Sequence, residues 1–136
     1  MPTARPHAGP VVAAVSAGGA LGALARHAIA TAWPHRPDAF PWATWTVNVS
    51  GCLLIGVLMA LVTHRWPDRR LIRPFLGVGL LGGYTTFSTS VVDVQQAVAH
   101  GAPLIALGYL GATVGGALLA VWLGAAVTES ALGARR

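Results

Sequence analysis

Apolar residues along this chain are grouped into four long stretches that short polar segments separate. The stretches cover approximately residues 11–33, 44–64, 71–99 and 103–127. Each is about as long as the roughly 20 apolar residues that a helix needs to cross a bilayer. The pattern therefore predicts a single all-α membrane domain over residues 1–136, with four transmembrane helices and short polar tails.

The third stretch contains an interruption that disfavours a continuous helix. Its centre is rich in glycine and hydroxyl residues and reads Gly82-Gly83-Tyr84-Thr85-Thr86-Phe87-Ser88-Thr89. In hydrocarbon every backbone N–H and C=O needs a partner, so irregular backbone is expected only where protein encloses a polar site. We therefore expect the third helix to be broken near its middle, and the break to belong to the functional site.

Composition and charge place the chain in a membrane and narrow its function. With 54% hydrophobic and 10% charged residues, it has too little polar surface to coat a soluble domain. A single cysteine and histidines without ligand-like spacing predict neither a metal cluster nor catalysis, and we expect no enzyme. The net charge of +5 comes without a basic and aromatic binding motif, so we expect no nucleic acid partner.

The arginines predict an orientation. The side with both termini and the second loop holds seven arginines, against Arg36 alone in the other loops. The positive-inside rule then places both termini in the cytoplasm, for a multi-pass protein of the cell membrane. The seven are Arg5, Arg65, Arg69, Arg70, Arg73, Arg135 and Arg136.

Several polar residues lie within the predicted spans, and each has two interpretations. Arg26 either snorkels to the interface or lines an aqueous vestibule. Asn48 either makes an interhelical hydrogen bond or donates to a dehydrated anion. Thr113 either bonds the carbonyl four residues back or lines a polar path. Asp93 either caps the broken helix or lies in a vestibule.

Small residues at intervals of four predict close helix packing. Gly18 and Gly22 share one face of the first helix with Arg26. Gly111 and Gly115 form a similar pair in the fourth helix, where we expect a second close approach.

Taken together, these residues resemble the Fluc or CrcB family of small fluoride channels. The resemblance runs from Gly18 to about Gly116. Its parts are Gly18-Gly19, Gly22-Ala23 and Arg26; Thr46-Val47-Asn48 with Gly51 and Gly56; the eight residues from Gly82; and Tyr109 with a hydroxyl four residues later. The family implies passive fluoride export that lowers toxicity, through two pathways in a dual-orientation, antiparallel dimer.

The resemblance also implies roles for individual residues. The fluoride pathway would include Asn48, Phe87, Thr113, Arg26, Thr86 and Ser90. The backbone carbonyls of Gly82 and Thr85 would hold a structural sodium ion that is not transported.

Two positions depart from the family pattern. Ser90 stands where a second pore phenylalanine is usual, and Ala117 stands where some members have a hydroxyl. Together with the arginine asymmetry, these losses suggest an obligate heterodimer with an oppositely oriented paralogue; a dual-topology homodimer is the alternative.

Two other functions compete with fluoride export. A small four-helix proton-coupled multidrug exporter would need a membrane-embedded carboxylate, and the first helix contains none. A purely structural assembly subunit would leave the eight residues from Gly82 without a purpose.

Overall fold

The computed structural model describes residues 8–133 and contains helices without strands in that range. Helix α1 is Ala8–Ala32, α2 is Trp42–His64, α4 is Ser88–Ala99 and α5 is Pro103–Gly133. Helix α3 joins a π-helical part, Arg73–Leu81, to an α-helical turn, Gly82–Tyr84. Within these described residues, four segments are long and apolar enough to span a membrane, with Arg73–Ala99 as the third. The predicted all-α membrane fold with a broken third span is confirmed.

The helix bounds differ from the predicted ones mainly at the ends. Helix α1 begins earlier than predicted, at Ala8, and α5 continues past residue 127 to Gly133. Thr128 lies in this extension, and its hydroxyl donates to the Gly124 carbonyl at 2.7 Å, which keeps its polar group satisfied within the helix. The tails at residues 1–7 and 134–136 lie outside the described residues.

Helices α1 and α3 meet backbone to backbone through glycines. A Cβ added at Gly18 would collide with the Phe75 carbonyl oxygen, and one at Gly22 would collide with that of Leu80. From the opposite side, a Cβ at Gly79 would lie 2.7 Å from the Val15 carbonyl oxygen. The predicted close approach on the Gly18 face is therefore present, and α3 is its partner.

A second glycine contact joins α2 to α5, but at positions that the spacing did not predict. A Cβ at Gly56 would meet the Val121 carbonyl, and one at Gly124 would meet the Leu53 carbonyl. At Gly111 and Gly115 nothing within the described chain lies within 4 Å of an added Cβ. Within the described chain this pair makes no close approach, because these glycines lie on the exposed face of α5.

Helix α4 turns directly into α5. Gly101 has a positive φ of 78°, a conformation that glycine adopts without steric cost. The amides of Gly101 and Ala102 close the end of α4 by donating to Val98 and Ala97. Pro103 then begins α5, where its missing N–H is not needed.

The loop between α1 and α2 packs over the same end of the bundle through aromatic rings. Phe40 meets Tyr109 edge to face at 5.4 Å and packs against Trp42 at 4.4 Å. Trp45, at the start of α2, donates its indole N–H to the Ala112 carbonyl at 3.0 Å. The loop is therefore tied to α5.

Candidate functional site

At the break in the third span, two backbone amides donate to side chains instead of to the carbonyls four residues earlier. Thr85 is extended, with φ −77° and ψ 157°. The Thr86 amide, which would bond the Gly82 carbonyl in a continuous α-helix, donates instead to Asn48 Oδ1 at 2.8 Å. The Thr89 amide, which would bond the Thr85 carbonyl, donates instead to Thr86 Oγ1 at 3.2 Å. The carbonyls of Gly82 and Thr85 thus lose their α-helical donors.

Asn48, which lies in α2, stabilises the break through hydrogen bonds. Besides accepting from the Thr86 amide, its Nδ2 donates to the Thr86 carbonyl and to Ser90 Oγ, both at 2.9 Å. The carboxamide thereby pairs with both backbone groups of one residue, and the buried side chain is fully satisfied. We call Asn48, Thr86 and Ser90 the Asn48 clamp. The interhelical hydrogen bond, one of the two interpretations of Asn48, is present.

Close packing brings α2 near enough to the break for this clamp to form. Gly51 lies one turn after Asn48, and a Cβ there would collide with the Thr85 Cγ2 methyl. The Ser50 hydroxyl also lies 3.0 Å from the Tyr84 hydroxyl. Glycine at position 51 is therefore required because the extended Thr85 occupies the space of a side chain.

A chain of polar groups continues from the clamp to the α1–α2 loop. The Tyr109 hydroxyl donates to Ser90 Oγ at 3.1 Å and lies 3.5 Å from Asp93 Oδ2. His35 Nε2 lies 3.7 Å from Asp93 Oδ1. Asp93 is buried within the span instead of capping a helix end, since α4 begins at Ser88.

The clamp forms one wall of a cavity of about 500 Å³. Five of the six predicted pathway residues line it, and most of the remaining wall is apolar. Thr113 contributes a hydroxyl that is buried and has no hydrogen-bond partner among the described residues. The back-bond to the carbonyl four residues earlier, one of its two interpretations, is not formed. The five residues are Asn48, Thr86, Phe87, Ser90 and Thr113.

Arg26, the sixth residue, lies in a neighbouring cavity of about 250 Å³. This cavity is lined by residues of α1, by α2 at Thr44 and Val47, and by Thr86 and Thr89 at the break. The Arg26 Nε is buried without a hydrogen-bond partner among the described residues. Thr86, a member of the clamp, lines both cavities and so lies between the cavity of Arg26 and the larger one.

Sequence reasoning missed the contributions of the α1–α2 loop and of Thr89. His35 and Phe40 reach the polar chain across more than 50 residues of sequence, and no local pattern points to their partners. Thr89 was visible as part of the hydroxyl-rich segment. Its role in satisfying Thr86 could have been found from the threonine spacing of three, which is typical of helix starts.

The bundle with its interrupted third span defines a small multi-pass membrane protein. Residues 13–125 match the family described as CrcB-like protein, Camphor Resistance (CrcB), and the chain therefore belongs to that family.

Named relatives cover nearly the whole chain. This chain is 54% identical over 126 residues to fluoride-specific ion channel FluC 2 of Nocardia farcinica. The aligned residues make up 93% of this chain and 90% of the relative. FluC 2 of Thermobifida fusca is 52% identical over 123 residues, or 90% and 91% of the two chains. FluC 1 of Streptomyces coelicolor is 51% identical over 116 residues, or 85% and 75%.

Proposed function

We propose that this chain is a subunit of a fluoride-specific ion channel that lets fluoride leave the cytoplasm passively and so lowers its toxicity. The observation that carries the proposal is its 54% identity, over 93% of its length, to a relative named as such a channel. That relative's name describes a channel and not an enzyme. The names of the relatives also count against a proton-coupled drug exporter, a function that only the four-helix architecture favours.

The proposed pathway follows the larger cavity. A strongly hydrated anion can enter it only where polar donors replace water, and the unpaired Thr113 hydroxyl is such a donor. The edge of the Phe87 ring offers positive electrostatic potential to the same space. Asn48 can donate to the anion only by releasing the Thr86 carbonyl or Ser90 Oγ, so fluoride and the clamp compete for its N–H groups.

Arg26 would act at the approach to this pathway. Its partly buried guanidinium lies in the cavity that shares Thr86 with the clamp. A positive charge there concentrates anions before they reach the break.

The break also supports a dimer. Phe87 is 83% exposed, and Gly82 and Ser88 on either side of the break are exposed as well. Polar backbone and hydroxyl groups cannot face acyl chains at this depth, so another protein surface has to cover them. An antiparallel second subunit would do so.

The same region fits a structural sodium ion. The carbonyls of Gly82 and Thr85 have lost their α-helical donors, and freed carbonyls suit a hard cation. When bound, sodium would supply positive charge that satisfies these two carbonyls. Higher thermal stability of the purified protein in sodium than in potassium chloride would support this assignment, and equal stability would contradict it.

We further propose that the partner is an oppositely oriented paralogue and that this chain keeps both termini in the cytoplasm. Seven arginines against one favour a single orientation. Ser90 fills the position of the missing phenylalanine with a group bonded to Asn48 and Tyr109. FluC 2 and FluC 3 of Streptomyces avermitilis, 54% and 41% identical to this chain, are compatible with paralogue pairs.

Fluoride efflux from liposomes tests both the fluoride channel function and the heterodimer. Vesicles loaded with potassium fluoride and containing the protein should release fluoride when a potassium ionophore is added, whereas chloride-loaded vesicles should not release chloride. The heterodimer requires that this chain alone be inactive and that a co-purified paralogue restore efflux. Robust efflux from this chain alone would establish the homodimer, and equal chloride efflux would contradict a fluoride-specific channel.

A further inference from the structure

Asp93 presents a problem for an anion pathway. It is the only acidic side chain buried among residues 8–133, with 7% of its surface exposed. Its carboxylate contacts Tyr109, which lines the larger cavity, and Ser90 one turn earlier and the adjacent Val94 line the same wall. A negative charge at this position repels anions from the cavity.

The surroundings of Asp93 contain one group that can offset this charge. The loop contributes His35, α2 contributes Thr44, α5 contributes Tyr109, and α4 itself contributes Ser90 one turn away. Among these, only His35 can carry a positive charge. Arg36, the residue after His35, is already paired with Asp38 at 2.9 Å, an ion pair that also lowers the pKa of that exposed carboxyl.

His35 is suited to respond to the solution outside the bundle. Its side chain is 24% exposed and lies 3.7 Å from the buried carboxylate. Imidazole is the side chain whose charge ordinarily changes between pH 5 and 8. The pair therefore joins a solvent-accessible imidazole to a buried carboxylate beside the cavity.

We propose that His35 is a positioning residue of the ion pathway, whose protonation neutralises the field of Asp93 and admits anions to the cavity. This inference rests on the proposed fluoride channel function. Fluoride efflux therefore rises as the pH falls. The repulsion between the Asp93 carboxylate and an anion is an interaction of two unit charges. At about 4 Å such an interaction changes an equilibrium by about fivefold even in water, and we expect a change of that size in the fluoride efflux rate.

The test is a pH profile of fluoride efflux between pH 5.5 and 8, with equal pH on both sides of the vesicle. Protein-free vesicles correct for hydrogen fluoride crossing the lipid. The paralogue is included if the wild-type chain needs it. Wild-type efflux should rise about fivefold toward pH 5.5, whereas His35→Gln should remain at the slow, high-pH rate throughout.

Two further variants should offset or remove the negative charge of Asp93 at every pH. His35→Arg and Asp93→Asn should both conduct at the fast rate at every pH, because one keeps a cation and the other removes the anion. His100→Gln is the matched control, since its ring bonds the Gln96 carbonyl at the same end of the bundle and makes no contact with Asp93. It should keep the wild-type profile.

The outcomes separate this inference from the function itself. A wild-type profile in His35→Gln, or slow efflux from a well-folded Asp93→Asn, would overturn the role of His35 while leaving a fluoride channel in place. Absence of fluoride efflux from the wild-type protein, with and without the paralogue, would overturn both.

Discussion

The two halves of the third span are held in the bundle by different physical means. Helix α3 packs against α1 through bare backbone, with Gly18 and Gly22 facing the turns before the break. Helix α4 is held by side-chain hydrogen bonds that run from Asn48 through Ser90 to Tyr109. One half therefore depends on the absence of side chains and the other on specific polar atoms.

This difference teaches where mutations should affect folding and where they should affect conduction. A backbone contact cannot yield by rotating a side chain, so added volume at α3 must move a whole helix. A polar network can lose one member and keep the fold, provided that the remaining groups stay satisfied. The following variants test this division from the largest expected effect to the smallest.

Gly22→Ala should have the largest effect, on folding. Its Cβ would collide with the Leu80 carbonyl, and overpacking of this kind costs about 1–3 kcal/mol of unfolding free energy. Gly19→Ala is the matched control, because its Cβ would lie 3.9 Å from the Gly79 carbonyl oxygen, an ordinary contact. Unfolding in mixed detergent micelles measures both, and equal stability of the two variants would contradict the backbone contact.

Asn48→Leu should impair both stability and conduction. It leaves the Thr86 amide without its acceptor, and an unsatisfied buried group costs about 1–3 kcal/mol. If the free-energy barrier to conduction rises by a similar amount, fluoride efflux should fall by about tenfold. Cys52→Ala changes the next turn of the same helix face in the same cavity, and should leave efflux close to wild type. Wild-type efflux from Asn48→Leu would show that the break forms without the clamp.

Thr113→Val should affect conduction without affecting stability. The hydroxyl has no partner in the described chain, so the fold loses nothing when it is replaced by a methyl group. If the hydroxyl donates to the anion, efflux should fall by about threefold to tenfold, the value of one hydrogen bond. Thr128→Val on the same helix removes a hydroxyl bonded to Gly124 and should not change efflux. Unchanged efflux in Thr113→Val would remove this residue from the pathway.

Tyr109→Phe should have the smallest effect. It removes a donor to Ser90 but leaves Ser90 bonded to Asn48 and to the Thr86 carbonyl. We expect a loss of about 1 kcal/mol of unfolding free energy or less, with the clamp intact. Thermal unfolding of the variant measures this loss, and a decrease as large as that of Asn48→Leu would show that Tyr109 is the true centre of the network.

The span pattern and the break could be predicted because both are local. Four apolar stretches of sufficient length admit few other structures, and Gly82 to Thr86 combine flexible and β-branched residues inside one of them. The importance of Asn48 could also be predicted, since an isolated carboxamide in a membrane helix needs partners. The hydrogen bonds of Asn48 to the Thr86 backbone could not be predicted, because they depend on how closely Gly51 lets α2 approach Thr85.

The glycine pairs show the limit of spacing arguments. Gly18 and Gly22 were identified as a packing face, and α3 lies against it. Gly111 and Gly115 have the same spacing but face outward. Periodicity gives the shared face of a helix and does not state which neighbour that face will meet.

The indole pair at the start of α2 gives the molecule a built-in optical signal. Trp42 and Trp45 lie with ring centroids 5.9 Å apart and planes at 82° to one another. Two such chromophores at fixed distance and angle couple their electronic transitions, so circular dichroism in the aromatic region should carry a signature of this arrangement. Unwinding of the first turn of α2, which carries both rings, would erase that signature, so the order of this turn can be followed without attaching any label.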